Sequence, residues 1–237
     1  GRLHRERAAT VTELGEIFHE AWRDRGNVVI PAFAVGRTQE LLYAFAQHFD
    51  DWGLGRWQIF LDSPMATKVL GVYERHAELF DEEAARVFAT TPHPLRLKNL
   101  HLTDSTEESM AINGMANGGR VRHHLRHRLP FDRNHVVFVG YQAAGTLGRR
   151  LVDGAAYVRV LGSEVPVRAK RHTVGGLSAH ADQAGLLDWY GRVGGRPDTV
   201  LVHGEDDARE AMARELRRRF DADVELARPD MARTVGR

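Results

Sequence analysis

Short apolar runs, each followed by an amphipathic helical stretch, constrain this chain more than any other feature. Val28-Val29-Ile30 reads as a buried strand closed by Pro31. A helix follows from about Thr38 to Phe49 with Leu41, Leu42 and Phe45 on its core face. Trp57 to Leu61 is a second strand, and Pro64 sits where the next helix begins. Val136-Val137-Phe138-Val139 is a third, followed by a Gly-rich turn and a helix near Leu147 to Val152. Ahead of them all, Val11, Leu14, Ile17, Phe18 and Trp22 keep helical spacing up to Gly26. Strands alternating with helices predict an α/β fold, a parallel sheet with helices on both faces.

Beyond Gly154 the texture changes. Tyr157 to Leu161, Val165-Pro166-Val167 and Arg171 to Val174 read as short strands joined by tight turns, and one more strand–helix unit runs from Thr199 to Phe220. A boundary near Ala169 therefore separates residues 1–169 from 170–237.

Composition narrows the chemistry. The chain has 237 residues, 43% of them hydrophobic and 27% charged, as in a soluble globular protein. No apolar run approaches the roughly 18 residues of a membrane span. The N-terminus carries no signal-peptide hydrophobic core, so a cytoplasmic location is the default. A first residue other than Met is what a fragment or a processed product would show. The absence of cysteine excludes disulfides, thiolate zinc sites and a cysteine nucleophile, leaving His, Asp and Glu as metal ligands. With 33 basic against 32 acidic residues there is no global attraction to nucleic acid, so local clustering would have to supply it.

Two strings place a histidine after an apolar stretch: Ser178-Ala179-His180-Ala181-Asp182 and Leu201-Val202-His203-Gly204-Glu205. Imidazole binds metals or moves protons near neutral pH, so a convergent pair suggests hydrolysis, although loop histidines are commonly structural or solvated. In Ile30 to Glu40, Gly36 permits close backbone approach and Arg37 could clamp a phosphate at the following helix; an ordinary strand–turn–helix is the simpler reading. Leu61-Asp62-Ser63-Pro64-Met65-Ala66 lies at a strand end, where α/β sheets bind ligands, but Asp62 or Ser63 would equally cap a helix. Gly118 to Arg128, including Arg120, carries four Arg and three His with no acid, a plausible phosphate-backbone footprint. Gly140 to Gly148 lacks GxGxxG spacing, which argues against a dinucleotide site. Arg37, Ser63 and Arg120 are thus the candidate substrate-binding residues.

Taken in order, IPAFAVGRTQE, LDSPMA, GGRVRHHL, VFVGYQAAGTLG, GGLSAHAD and LVHGE resemble the β-CASP branch of the metallo-β-lactamase family, over nearly the whole chain. Members process RNA or DNA, and the texture is nearest to ribonucleases related to the mRNA 3′-end cleavage endonuclease. The resemblance implies a β-CASP (RNA-specificity) domain over residues 1–169. Residues 170–237 would be the C-terminal strands and helices of a lactamase-like αββα sandwich. It implies that His203 ligates one of two zinc ions and that His180 assists the leaving oxygen. Such ions can activate a bridging water and hold phosphate oxygens. It also implies a single-stranded RNA substrate, leaves room for a homodimer and involves no membrane.

Two departures accompany the resemblance. The HxHxDH metal motif, a later zinc-binding His, a bridging Asp and the acidic support of the SAHAD histidine would all lie upstream of Gly1. Between Asn113 and Gly114 the family has about a dozen further residues, including an apolar strand whose loss would leave neighbouring strands unpaired. The reading is therefore the C-terminal part of a zinc-dependent ribonuclease, inactive by itself because one zinc ligand cannot build a site. The alternatives are a non-catalytic RNA-binding β-CASP module of a processing complex and, more remotely, an unrelated α/β hydrolase.

Overall fold

The N-terminal helical spacing forms α1 (Arg7–Arg23), whose Leu14, Ile17 and Phe18 are buried. It closes in a Schellman motif, in which Gly26 N–H bonds the Ala21 carbonyl at 3.0 Å and Arg25 N–H bonds that of Trp22 at 3.1 Å. The left-handed residue of the motif is Arg25, with φ 53°, rather than Gly26. Gly26 is needed for a different reason: a Cβ there would lie 1.6 Å from the Arg133 carbonyl oxygen. This computed structural model describes residues 6–90, 93–103, 116–177, 180–229 and 231.

Strand β1 (Val28–Val29) leads into α2 (Arg37–Gln47), and β2 (Ile59–Leu61) leads into α3 (Pro64–Arg75). Next come α4 (Glu82–Thr90), β3 (Leu100–Leu102), the basic helix α5 (Val121–Arg128), β4 (His135–Phe138) and α6 (Leu147–Val152). β5 (Tyr157–Val160) and β6 (Ser163–Pro166) form an antiparallel hairpin. Its two-residue turn, Leu161-Gly162, is left-handed at both positions, the geometry that suits the natural twist of the strands. β7 (Lys170–Thr173) then lies parallel to β4.

The main sheet has the order β1-β4-β7 and is parallel throughout. All of β4 is buried. Val137 and the following Val139 face a core shared with α1 and α2, while Val136 and Phe138 face a core built with α5, α6 and the hairpin. Cover on both faces explains why this strand reads as a continuous apolar run. The fold is thus α/β with a parallel sheet between helices. A second parallel sheet pairs β2 with β3. Among the described residues β1 ends one sheet and β2 ends the other, so each has an edge that no strand takes up.

The chain divides into two compact units between Leu177 and Ser178. The texture change near Ala169 falls earlier because β7, beyond it, hydrogen-bonds to β4 and completes the first unit's sheet. In the second unit α7 (Gln183–Val193), β8 (Thr199–Leu201), α8 (Asp206–Phe220) and β9 (Val224–Leu226) follow in turn, with β8 and β9 paired in parallel. Their core is Leu187, Tyr190, Ala213, Leu216, Ala222 and Val224.

Candidate functional site

The second unit carries both sequence-selected histidines. His203 lies just beyond β8, after Val202, and Gly204, at φ 116°, turns the chain from strand to helix. Glu205 is the N-cap of α8, and Asp206 and Asp207 occupy its first turn, so the helix start is rich in negative charge beside the imidazole. Asp206 pairs with Arg209, which also donates to the Ala227 carbonyl at 2.6 Å and ties the helix to the segment after β9. His180 precedes α7. There the Asp182 carboxylate accepts the Gly185 N–H at 2.8 Å, so the acid of the SAHAD string is a helix cap. Both imidazoles are exposed, and Ser178 and Ala179 of the same string lie outside the described residues.

In the first unit the loops after β2 and β3 build a polar cluster. Asp62, just beyond β2, accepts bonds from Thr103 Oγ1 at 2.7 Å and from the Arg120 guanidinium, and its second oxygen lies 2.8 Å from His124 Nε2. Burial pushes the Asp62 carboxyl up, but its bonds to His124, Thr103 and Arg120 outweigh that and hold it below the ordinary carboxylate value. The charge is therefore shared between a strand end and the first turn of α5. Outward from it, α5 buries Val121 and Leu125 and exposes His123, Arg126 and His127. That face carries basic side chains and no acid.

The other two candidates are placed differently. Ser63 is 3% exposed and its hydroxyl accepts the Ala66 N–H at 3.1 Å, so it is the N-cap of α3, the second of the roles the sequence left open. Arg37 pairs with Glu40 on its own helix, with only 14% of its side chain accessible. Burial raises the Glu40 carboxyl despite the neighbouring guanidinium. Gly36, at φ 80°, caps this helix with open space where a Cβ would stand.

A further titratable cluster escaped the sequence reading. His135 is fully buried; its Nε2 lies 3.0 Å from the Asp24 carboxylate and its Nδ1 lies 2.9 Å from His172 Nε2. Lys170 bridges Glu20 and Asp24 at 2.6 Å each. Lys170, then His135, lowers the Asp24 carboxyl, Lys170 lowers that of Glu20, and Asp24 and Glu20 together raise Lys170. An ionised Asp24 only accepts, so His135 carries its proton on Nε2. In a neutral ring Nδ1 then accepts from His172. Glu20, His135 and His172 are the one set of three ligating side chains that converge among the described residues. Their rings lie 2° from parallel with nitrogen facing nitrogen, so the lone pairs a metal needs are taken by an N–H···N bond, and Lys170 already neutralises Glu20. The signal was cross-strand register, since His135 and His172 are 37 residues apart.

Comparisons with known proteins define the class. Residues 38–151 match the Beta-Casp domain, and residues 164–227 match the Zn-dependent metallo-hydrolase RNA specificity domain. The chain belongs to the β-CASP branch of the metallo-β-lactamase family of RNA-processing proteins.

Among individual relatives, it is 43% identical over 239 residues to Ribonuclease TTHA0252 of Thermus thermophilus, covering 96% of this chain and 54% of that protein. It is 30% identical to Transcription termination factor FttA of Pyrococcus abyssi, over 86% of this chain and 34% of that protein. Against FttA of Methanocaldococcus jannaschii it is 28% identical, over 91% of this chain and 37% of that protein. The chain thus spans about half the length of the first relative and roughly a third of the other two.

The second domain's description makes zinc a property of the family. His203 offers a suitable donor beside acidic side chains. Zinc sites take at least three protein ligands, and no such set surrounds His203 among the described residues. Among the described residues His203 is therefore a single donor toward that metal. No helix among the described residues is long and apolar enough to cross a membrane.

Proposed function

We propose that this chain is the RNA-specificity portion of a zinc-dependent hydrolase that cleaves RNA phosphodiester bonds in the cytoplasm. The observation that carries it is the RNA-specificity match over residues 164–227, which contains both exposed, helix-leading histidines. In the whole protein His203 would ligate one of two zinc ions, whose chemistry is to activate water and neutralise phosphate charge. His180 would hold the proton that passes to the departing ribose oxygen. Arg37 and Arg120 would orient the RNA at the strand ends, with Ser63 acting through the Asp62 turn that its cap fixes. The cationic face of α5 would follow single-stranded backbone. A homodimer would fit the same reading.

The basic face of α5 would equally serve a second reading, a β-CASP module that clamps RNA without cutting it. One experiment separates the two. The full-length protein is assayed on end-labelled single-stranded RNA with and without zinc, alongside its His203→Ala variant. Zinc-dependent cleavage lost in the variant supports the hydrolase. Salt-sensitive binding without cleavage supports the clamp, and normal turnover by His203→Ala defeats the assignment of that residue.

A further inference from the structure

The residues lining a cavity of about 250 Å³ in the first unit come from α1, α2, α3, α4 and the segments beside them. Four aromatic rings face it, Tyr43, Tyr73, Phe80 and Phe88, each only partly buried. Phe80 and Phe88 stand with centroids 4.5 Å apart and Tyr73 lies 6.1 Å from Phe80, so three of the rings form one wall. Gln39 lines the same space and is 2% exposed. Its Nε2 donates to the Ala34 carbonyl at 3.0 Å, which fixes the other end of the amide as the acceptor. That Oε1 is buried and has no hydrogen-bond partner among the described residues. A buried acceptor without a donor is costly, so this oxygen is matched to something the cavity holds. Glu40 and Asp81 add carboxylates to the lining, with one oxygen of Glu40 on Arg37 and one of Asp81 on the Ala84 N–H. Arg7, itself exposed, is the one cation of the lining.

We propose that this cavity takes a guanine base, presented by the single-stranded RNA of the function proposed above and so resting on that reading. The pattern of donors and acceptors selects the base. Gln39 has only an acceptor left and carboxylates accept as well, so the occupant must bring donors. Guanine carries two adjacent ones, N1–H and the N2 amine, while its O6 and N7 are acceptors that a guanidinium matches. Adenine and cytosine each set one amine beside a bare ring nitrogen, and uracil has a single N–H between two carbonyls. Gln39 Oε1 then accepts from the N2 amine, and Arg7 donates to the O6 edge.

The walls agree with that choice. Unstacked bases of single strands are held against aromatic side chains and read along these edges. A purely apolar occupant would leave the Gln39 oxygen unsatisfied. At about 250 Å³ the cavity is smaller than the roughly 300–1,000 Å³ that drug-sized ligands occupy, so it holds one ring system and leaves sugar and phosphate outside.

The test uses the full-length protein, first with free nucleotides, which offer no internucleotide bond to cleave. Binding of GMP, IMP, AMP and UMP is read by calorimetry. GMP should saturate below millimolar concentration. IMP differs from GMP only in lacking the N2 amine and should bind at least tenfold more weakly, as should AMP and UMP. Gln39→Met should erase the preference for GMP over IMP, and Arg7→Ala, at an exposed position, should weaken both severalfold. A second arm compares, in zinc-free buffer, a short labelled oligouridylate with the same strand carrying one guanine, which should bind at least fivefold more tightly. No saturation by GMP at millimolar concentration, or equal binding of IMP, overturns the proposal. Salt-sensitive binding of both strands with no preference for guanine overturns it too and leaves the RNA reading standing. Failure of both strands to bind while GMP saturates defeats the RNA reading and assigns the cavity to free guanine nucleotides.

Discussion

His135 and His172 lie inside the first unit, bonded to each other and, through His135, to Asp24. His180 and His203 lie exposed in the second unit, each ahead of a helix. The residue type is the same and the physical situation is opposite. A buried imidazole whose nitrogens already have partners is committed to holding strands and a helix together. An exposed one ahead of a helix lies where solvent, substrate or metal can reach it. The difference teaches that burial, rather than the number of histidines, separates a structural pair from a pair open to solvent.

Exchange of each pair for alanine should break the comparison most clearly. In the full-length protein His203→Ala should reduce zinc-dependent RNA cleavage by orders of magnitude while leaving the urea midpoint almost unchanged, because exposed substitutions cost within about 0.5 kcal/mol. A shift of the midpoint as large as the buried pair gives would remove the distinction.

Next in size, His135→Ala should destabilise the chain by about 2–4 kcal/mol, since it empties a fully buried site and strands the hydrogen-bonding groups of His172 and Asp24. Urea denaturation of the two proteins side by side measures this, and an unchanged midpoint would show that the buried network holds nothing.

A pH titration sharpens the same contrast. Burial, and then the neighbouring His135, lower the His172 pKa, against the opposing pull of Glu20 and Glu13, with Lys170 adding to the lowering. The unfolded chain therefore binds the proton more readily, so stability is full above the unfolded value of about 6.5 and declines as pH falls through it toward the folded value. His172→Asn should flatten that limb of the stability–pH curve, and an equally steep limb would contradict the burial argument. Glu20 and Asp24, both lowered by Lys170, lose their contribution in a separate and more acidic window. The smallest effect belongs to the exposed face of α5. Arg126→Ala should leave stability unaltered and reduce the slope of log affinity for RNA against log salt by about 1.

Part of the fold was legible because β4, buried along its whole length, reads as a continuous apolar run. The Leu147–Val152 helix was read to the residue, where apolar spacing and the Thr146 cap agree. β9 and β3 were not read, since Val-Glu-Leu and Leu-His-Leu are too short to show a period and exist as strands only through their partners β8 and β2. The placement of β7 also needed register: from sequence it looked like a continuation of the hairpin, and pairing with β4 put it in the main sheet. Ser63 showed both its roles in the sequence, and only the 3.1 Å bond to Ala66 decided that it caps. Arg37 could be a phosphate clamp or an ordinary residue at a helix start, and its pairing with Glu40, within the same string, appears only when the helix is built.

The sheet order also sets a timetable. The hairpin of β5 and β6 closes over two residues and can form within microseconds of being made. β1 must wait for β4, with Asn27 and Asn134, the residues ahead of them, separated by 107 positions. At ribosomal speeds of roughly 5–20 residues per second, β1 leaves the exit tunnel about 5–20 s before its partner does. During that interval an apolar strand with both edges open is offered to whatever is nearby. The first unit is therefore most exposed to wrong pairing while it is being made, before β4 arrives to cover β1.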